Sequence, residues 1–307
     1  MAAMARDLIA LFLRSLENDY QYRMREDALV TANHLGFRVT VQEAHDDPKR
    51  QAAQIAEVTL GKEASRLAAV LVSPVLDEPL RDPAWAVGAA GVGWVLLNRE
   101  AGYVDLLRED FPDLPIFSVT ADQIEIGRLQ GRQLKAALAG GGHVVCVLGR
   151  PETSSAKRRL EGLREEIEGG PWTLTLLDGD WTSEGARAAV ERWLDGPGRS
   201  TPFAMVCAQN DDMAVGAQLA LQGAAARLGQ AKLTLVPVIG CDGSPDFGQR
   251  LVREGRLLAT VEVPSGSGLA MEWIARSRAG GTRPPASVVL PVRSVPARQQ
   301  IAAARNP

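Results

Sequence analysis

The sequence predicts an α/β fold: two similar Rossmann-like lobes, each a parallel sheet covered by helices, with the chain crossing between them three times. Three observations carry this reading. Short Val/Ile/Leu runs alternate with longer amphipathic stretches along the chain. The apolar runs are continuous, as in strands buried on both faces of a parallel sheet. The rhythm runs once to about residue 114 and restarts near "GGGHVVCVLG". Such alternation implies right-handed βαβ units in open doubly wound sheets.

The elements follow in order. "LIALFL" (8–13) reads as the first strand and "YRMREDALVTANHLG" (22–36) as an amphipathic helix. "RVTVQEA" (38–44), "AAVLVSP" (68–74), "GWVLLN" (93–98) and "PIFSV" (115–119) complete the strands of the first pass. A helix over 122–140 contains "GRLQGRQLKAALAG" and leads to the strand "HVVCVLG" (143–149). Then come the strand "LTLLDG" (174–179), the helix "SEGARAAVERWLDG" (183–196) and the strands "FAMVCAQ" (203–209), "LVPVIGCD" (235–242), "LLATVEV" (257–263) and "SVVLPV" (287–292). The seams at 118–122 and 262–266 read as chain crossings. The expected N-terminal lobe is 1–120 with 263–290, and the C-terminal lobe is 121–262 with 291–307. A ligand cleft is expected between them.

The totals fit this picture. The 307 residues are 46% hydrophobic and 23% charged, enough for a real core. A net charge of −3 gives no bias toward nucleic acid or an anionic membrane. Cys146, Cys207 and Cys241 sit in apolar runs, and their odd number and wide spacing argue against disulfides or a zinc site. In "MAAMARDLIALFLRSLEND", Arg6 and Asp7 precede the apolar run, Arg14 ends it, and no small-residue cleavage site follows. A cytoplasmic location is therefore expected, or a periplasmic one if a signal peptide has been removed. "AWAVGAAGVGWVLL" (84–97) is too short and glycine-rich to span a bilayer.

Ligands of open parallel sheets bind beyond the carboxyl ends of the strands. The residues that follow each apolar run are therefore the candidates. Arg14, Asn18 and Tyr20 follow the first strand, and Asn98 and Arg99 follow "GWVLL". Arg158 and Arg159 lie in the Ser/Thr-rich helix start after "HVVCVLG", one of the two on a solvated face. Asp180 and Trp181 follow "LTLLDG", Asn210 follows "FAMVCAQ", and Asp242 follows "LVPVIG". Asn18, Asp211 and Asp242 could equally cap helices or turns, and Trp181 could be core. Together, planar amides, guanidiniums, a carboxylate and two aromatic rings suit a polyhydroxylated ligand. Sugar hydroxyls donate and accept at once, and the CH face of a sugar ring packs on an aromatic ring.

Catalytic signatures are missing from the sequence. No G-x-G-x-x-G follows the first strand, and there is no Walker A motif. "PSGSGL" (264–269) lacks nucleophile-elbow spacing. His34, His45 and His143 fall in a helix, a loop and a strand start, none placed as a general base. Binding without catalysis, and without a cofactor or metal, is expected.

"AQNDDMAVGA" (208–217), "VIGCDGSPD" (238–246), "SSAKRRLEGL" (154–163), "HDDPKRQAAQI" (45–55) and "LLATVEVPSGSG" (257–268) together resemble the type I periplasmic-binding-protein fold. The resemblance is greatest to the ribose- and galactose-type sugar-binding proteins and to the effector domains of LacI-type repressors, and it covers nearly the whole chain. It implies that Asn210 bonds a sugar from the end of a strand and that Asp211 is structural. It implies that Asp242 accepts two sugar hydroxyls and that Arg159, Asn98, Arg99, Asn18 and Tyr20 line the site. Trp181 would be the stacking aromatic of the second lobe. The departures are Asn98 where the family often has an acid, Gln21 where it has a second aromatic, and Glu262 or Val263 where it has a sugar-binding glutamine. Arg14 replaces a small residue. One cation gained and one anion lost raise the expectation of an anionic ligand, a sugar phosphate or sugar acid, beside the neutral monosaccharide.

The resemblance implies a solute-binding protein whose lobes close on a monosaccharide or small polyol. An ABC permease would be the partner of an exported protein, and a sensor or regulator role would suit a cytoplasmic one. Repressors of this type carry an N-terminal helix-turn-helix. Here the first strand begins by about residue 8, so direct binding to nucleic acid is not expected.

Overall fold

In the computed structural model, residues 6–305 are described, and the lobe ends expected at 1–5 and 306–307 lie outside them. The chain divides into two compact units, passing from one to the other after Ala121, after Pro264 and after Leu290.

The first unit alternates strand and helix: β1 (Leu8–Leu13), α1 (Asp19–Leu35), β2 (Arg38–Glu43), α2 (Pro48–Leu60), β3 (Leu67–Val72), α3 (Arg81–Ala89), β4 (Gly93–Leu97), α4 (Tyr103–Asp110) and β5 (Ile116–Ala121). The second unit continues with α5 (Gln123–Ala137), β6 (Gly142–Leu148), α6 (Ser154–Ile167), β7 (Trp172–Asp178), α7 (Ser183–Asp195), β8 (Met205–Ala208), α8 (Asp211–Leu228), β9 (Val238–Ile239), α9 (Gly248–Arg253) and β10 (Thr260–Glu262). The chain then returns α10 (Ser267–Arg278) and β11 (Ser287–Leu290) to the first unit. It ends in the second with β12 (Arg293–Val295) and α11 (Arg298–Arg305).

The first sheet is parallel, in the order β11-β5-β4-β3-β1-β2. Every residue of β1 and β3 is buried, as their unbroken apolar sequences require. Leu8, Ala10 and Phe12 pack with Ile55, Val87, Trp94 and Leu107 in one core layer. The second sheet is parallel in the order β7-β6-β8-β9, and β10 pairs antiparallel with β12. Val145 and Val147 of β6 face a core with α7 and α8, and Val144, Cys146 and Leu148 face one with Leu134 and Leu163. The three cysteines are buried free thiols.

Both sheets reverse their winding beside the first strand of the unit, between β1 and β3 and between β6 and β8. That reversal opens a crevice at the carboxyl ends of those strands, where open α/β sheets bind ligands. Two departures from the sequence reading are local. The strand expected over 235–242 is only Val238–Ile239, because Ala231–Leu235 winds into a 3-10 turn before it. β12 was not anticipated, since a three-residue strand carries too little pattern to be seen.

In the second unit, α5 and α6 press backbone against backbone. A Cβ on Gly127 would stand 2.0 Å from the Arg159 carbonyl oxygen, and one on Gly162 would stand 2.0 Å from that of Ile124. Arg128, Arg132 and Lys135 of α5 reach Glu165 and Glu166 of α6 along the same seam. This contact fixes where α6, and with it Arg159, stands against the start of α5.

Candidate functional site

Each sheet presents its own polar edge. In the first unit, Arg14 leaves the end of β1 and is almost wholly buried. Its Nε lies 2.6 Å from Asp46 Oδ1, and the Asp46 N–H donates to the Arg14 carbonyl at 3.0 Å. Arg99, beyond β4, sends Nε to 3.5 Å from Asp77 Oδ1 and donates from Nη1 to the Asn98 carbonyl at 3.0 Å. Behind these groups lies a buried polar lattice. The Arg14 N–H donates to Gln21 Oε1 at 3.2 Å, and Gln21 Nε2 donates to Ser73 Oγ at 2.9 Å. Gln51 Nε2 donates to the Ser73 carbonyl at 3.0 Å, and Gln51 Oε1 accepts from the Val75 N–H at 2.9 Å. The lattice ties the ends of β1 and β3 together, so the winding reversal has a rigid floor. Gln21, where the resemblance expects an aromatic, is part of that floor.

Asn18 caps α1: its side chain accepts from the Gln21 N–H. Tyr20 is buried on the same helix, which ends at Gly36 in the left-handed region.

In the second unit, Arg159 is 2% exposed and is held on every side. Its Nε donates to Gln123 Oε1 at 2.8 Å, and Nη1 donates to the Gln209 carbonyl. Asp242 Oδ1 stands 3.8 Å from Nη1, and the guanidinium carbon sits 5.3 Å from the Trp181 ring centroid. Trp181 lies flat over Gly149, where a Cβ would come within 1.9 Å of the ring, so only glycine lets the indole settle there. Gln209 braces the same corner, accepting from the Gly149 N–H at 2.9 Å and donating to the Ala156 carbonyl at 3.0 Å. Asn210 caps α8. Its Oδ1 accepts from the Met213 N–H at 2.8 Å, and its Nδ2 donates to the Trp181 carbonyl at 3.1 Å. The amide thus joins the start of α8 to the loop that carries the indole.

Asp211 is buried beneath this edge. Oδ1 accepts from the Thr260 hydroxyl and Oδ2 from the Gly243 N–H, both at 2.8 Å. Burial, and next the charge of Asp242, push its pKa well above the ordinary carboxylate range. Glu262, one of the two positions that could replace the expected glutamine, accepts from Arg293 Nε at 2.7 Å and from Gln249 Nε2 at 3.1 Å. It braces β10 on β12. Val263 is buried and apolar, which leaves Glu262 as the polar one of the two positions.

Backbone strain marks the same edges. Among the described residues, the non-glycine positions with φ in the left-handed region are His45, Asp46, Asn98, Asp180, Trp181 and Asp242. All six lie just past the carboxyl end of a parallel strand. Such conformations cost about 1–3 kcal/mol each and persist where the surroundings hold them. The left-handed turn at residue 181 is what lays the indole over Gly149.

The structure brings Arg14, Asn98 and Arg99 to the first edge and Arg159, Trp181, Asn210 and Asp242 to the second. Asp46, Asp77, Gln123 and Gln209 were not anticipated as site residues. Each meets its partner across tens of residues, and no local pattern signals that pairing. The serines of the 264–269 stretch and His143 have other partners. Ser265 and Ser267 donate to Asp27, and His143 meets Thr175 Oγ1 at 2.8 Å and the edge of the Trp193 ring. Among the described residues, no cluster of His, Cys, Asp or Glu could hold a metal ion.

A periplasmic binding protein domain model matches residues 9–267. The ribose import binding protein RbsB of Salmonella typhimurium is 26% identical over 260 residues, covering 84% of this chain and 80% of that protein. An ABC transporter solute binding protein from Bacillus halodurans, solved with bound myo-inositol, superposes with a TM-score of 0.80 at 21% identity, covering 99% of both chains. An ABC transporter periplasmic solute binding protein from Actinobacillus succinogenes, with bound D-allose, gives a TM-score of 0.78 at 22% identity, covering 96% of this chain and 99% of that one. These matches overturn the expected cytoplasmic location. Import binding proteins and periplasmic solute-binding proteins point to the periplasm, and the N-terminal reading that found no signal-peptide pattern is too local to stand against a match over most of the chain. They also carry the expectation of binding rather than catalysis, since the matched proteins are solute-binding proteins. By its match over residues 9–267, the chain belongs to the periplasmic binding protein domain family.

Proposed function

We propose that this protein binds a monosaccharide or small polyol as the solute-binding component of an ABC import system, delivering it to a membrane permease. The observation that carries the reading is the buried corner of the second unit. There an arginine is held between an indole face and a carboxylate, with its Nε and Nη1 donating to the Gln123 side chain and the Gln209 carbonyl. A guanidinium and a carboxylate side by side offer a hydroxyl both a donor and an acceptor, and the indole offers an apolar wall for the ring. Similarity to the ribose import binding protein supports the same reading.

In this reading Arg14, Asn98 and Arg99 are the ligand groups of the first unit, and Arg159, Trp181 and Asp242 are those of the second. Asn18, Tyr20 and Asn210 shape the elements that carry them, and Glu262 has no ligand role. Charge-assisted hydrogen bonds of ~1.5–3 kcal/mol each make a micromolar affinity, about −8 kcal/mol, reachable with a handful of contacts.

A thermal-shift screen of the purified protein with ribose, D-allose and myo-inositol tests this. A ligand at 100 times its Kd stabilises by about 2.7 kcal/mol, a clear upward shift in Tm. Unchanged melting with all three at millimolar concentration would refute the proposed class of ligand.

A further inference from the structure

The charges of the first edge form a row that alternates in sheet order. Across neighbouring strands β4, β3, β1 and β2, the residues beyond the carboxyl ends are Arg99, Asp77, Arg14 and Asp46. Each arginine is matched by the carboxylate of an adjacent strand, at 3.5 Å for Arg99–Asp77 and 2.6 Å for Arg14–Asp46. The arginine side chains are 5% exposed and the Asp46 and Asp77 side chains 21% and 14%, so bulk water screens either pair less than it would at the open surface. Glu43, beside this row, accepts from the Leu16 N–H at 2.8 Å and faces His45 at 3.3 Å. The second edge repeats the balance by itself. Arg159 faces Asp242 at 3.8 Å, and Arg150 Nη2 meets Asp180 Oδ2 at 3.5 Å.

The cation that Arg14 adds to the family pattern therefore comes with its own counter-charge. We infer that Asp46 and Asp77 are specificity residues, which neutralise Arg14 and Arg99 and restrict the ligand to uncharged polyhydroxylated molecules. This rests on the sugar-binding reading above and narrows it. A hydroxyl donates to a carboxylate and accepts from a guanidinium, so an alternating row satisfies it at either kind of group. A phosphate or carboxylate only accepts. To reach Arg14 or Arg99 it would bring a second negative charge within a few ångströms of a carboxylate already in place, in a site poorly screened by water.

The strain at Asp46 fits the assignment. Asp46 adopts φ 58° directly after His45 at φ 50°, two successive left-handed residues without glycine, and this turn carries its carboxylate back to the end of β1. Asp47, next along the chain, is spent as the cap of α2 through the Lys49 and Arg50 N–H groups, so the two aspartates divide these tasks.

The test is calorimetric titration of the full chain with ribose, D-allose and myo-inositol, and with ribose 5-phosphate, D-ribonate and D-glucuronate. Wild-type protein is expected to bind at least one neutral probe and to bind the charged probes at least 100-fold more weakly. Asp46→Asn, which keeps the size of the side chain and removes its charge, should weaken the neutral probe about tenfold and raise the affinity of a charged probe by tenfold or more. Asp77→Asn should act in the same direction through Arg99. A purely structural role would lower both affinities together, and an unchanged neutral-to-charged ratio in both folded variants would overturn the inference. So would wild-type protein that binds a charged probe as tightly as a neutral one, a result independent of whether either variant folds. Failure of every probe with wild-type protein would instead overturn the sugar-binding reading itself.

Discussion

Replacing Asp211 separates the scaffold of the second edge from its ligand contacts. The carboxylate is buried and receives two 2.8 Å hydrogen bonds, from Thr260 of β10 and from the Gly243 N–H in the loop after β9. Asp211→Ala leaves both buried donors without an acceptor, at about 1–3 kcal/mol each, so a loss of about 2–6 kcal/mol is expected. At roughly 2–4 °C per kcal/mol for a domain of this size, Tm should fall by about 4–24 °C. Asp211→Asn keeps the shape and one acceptor oxygen and should cost about half as much. The two variants also differ from wild type in pH dependence. Because the folded pKa is raised, native Asp211 retains a proton that the unfolded chain loses above its ordinary value of about 4. Its contribution is thus fully present below about pH 4 and is lost as pH rises toward the raised folded value. Urea denaturation across this range should show wild-type stability declining with pH more steeply than that of Asp211→Asn. The reasoning fails if Asp211→Ala is as stable as wild type, or if it keeps its stability and loses sugar affinity, which would make Asp211 a ligand contact.

Other expectations follow from the same corner. Trp181→Ala removes a ring packed with Val147, Ala156 and Met213, so it should cost about 3–5 kcal/mol of stability as well as affinity, measured by urea denaturation beside calorimetry. Asn210→Ala loses the α8 cap and the bond to the Trp181 carbonyl, and should lower stability by about 1–3 kcal/mol. Arg159→Lys keeps the charge but cannot serve Gln123, the Gln209 carbonyl and a sugar together, so its sugar affinity should fall at least tenfold in a titration.

The fold was legible because its strands are uninterrupted apolar runs and its winding repeats. Leu8–Leu13 and Leu67–Val72 need both faces covered, and that alone commits the chain to helices on each side of the sheet. The position of the site was legible for the same reason, since parallel strands end at a common edge. The roles of individual polar residues were less so. Asn18 read equally as a cap and as a ligand group and Asn210 only as a ligand group, yet both cap helices, because a side-chain oxygen one residue before a helix finds its nearest donors in the first turn. Nothing in the sequence singles out Asp46, and only a left-handed turn at His45 and Asp46 returns its carboxylate to Arg14. Glu262 was one of two positions read for the family's glutamine, and its ion pair with Arg293 was not legible because β12 was not anticipated.

The most direct measurement is a calorimetric titration of wild-type protein and Asp242→Asn with the neutral sugar that shifts Tm most. The account predicts one site at micromolar Kd or tighter in wild type. In Asp242→Asn, which keeps the size of a side chain standing beside Arg159 and removes its charge, a loss of about 2–3 kcal/mol is expected, roughly 30- to 150-fold in Kd. Equal affinity in the two proteins would contradict the placement of the ligand at the carboxyl edge of the second sheet.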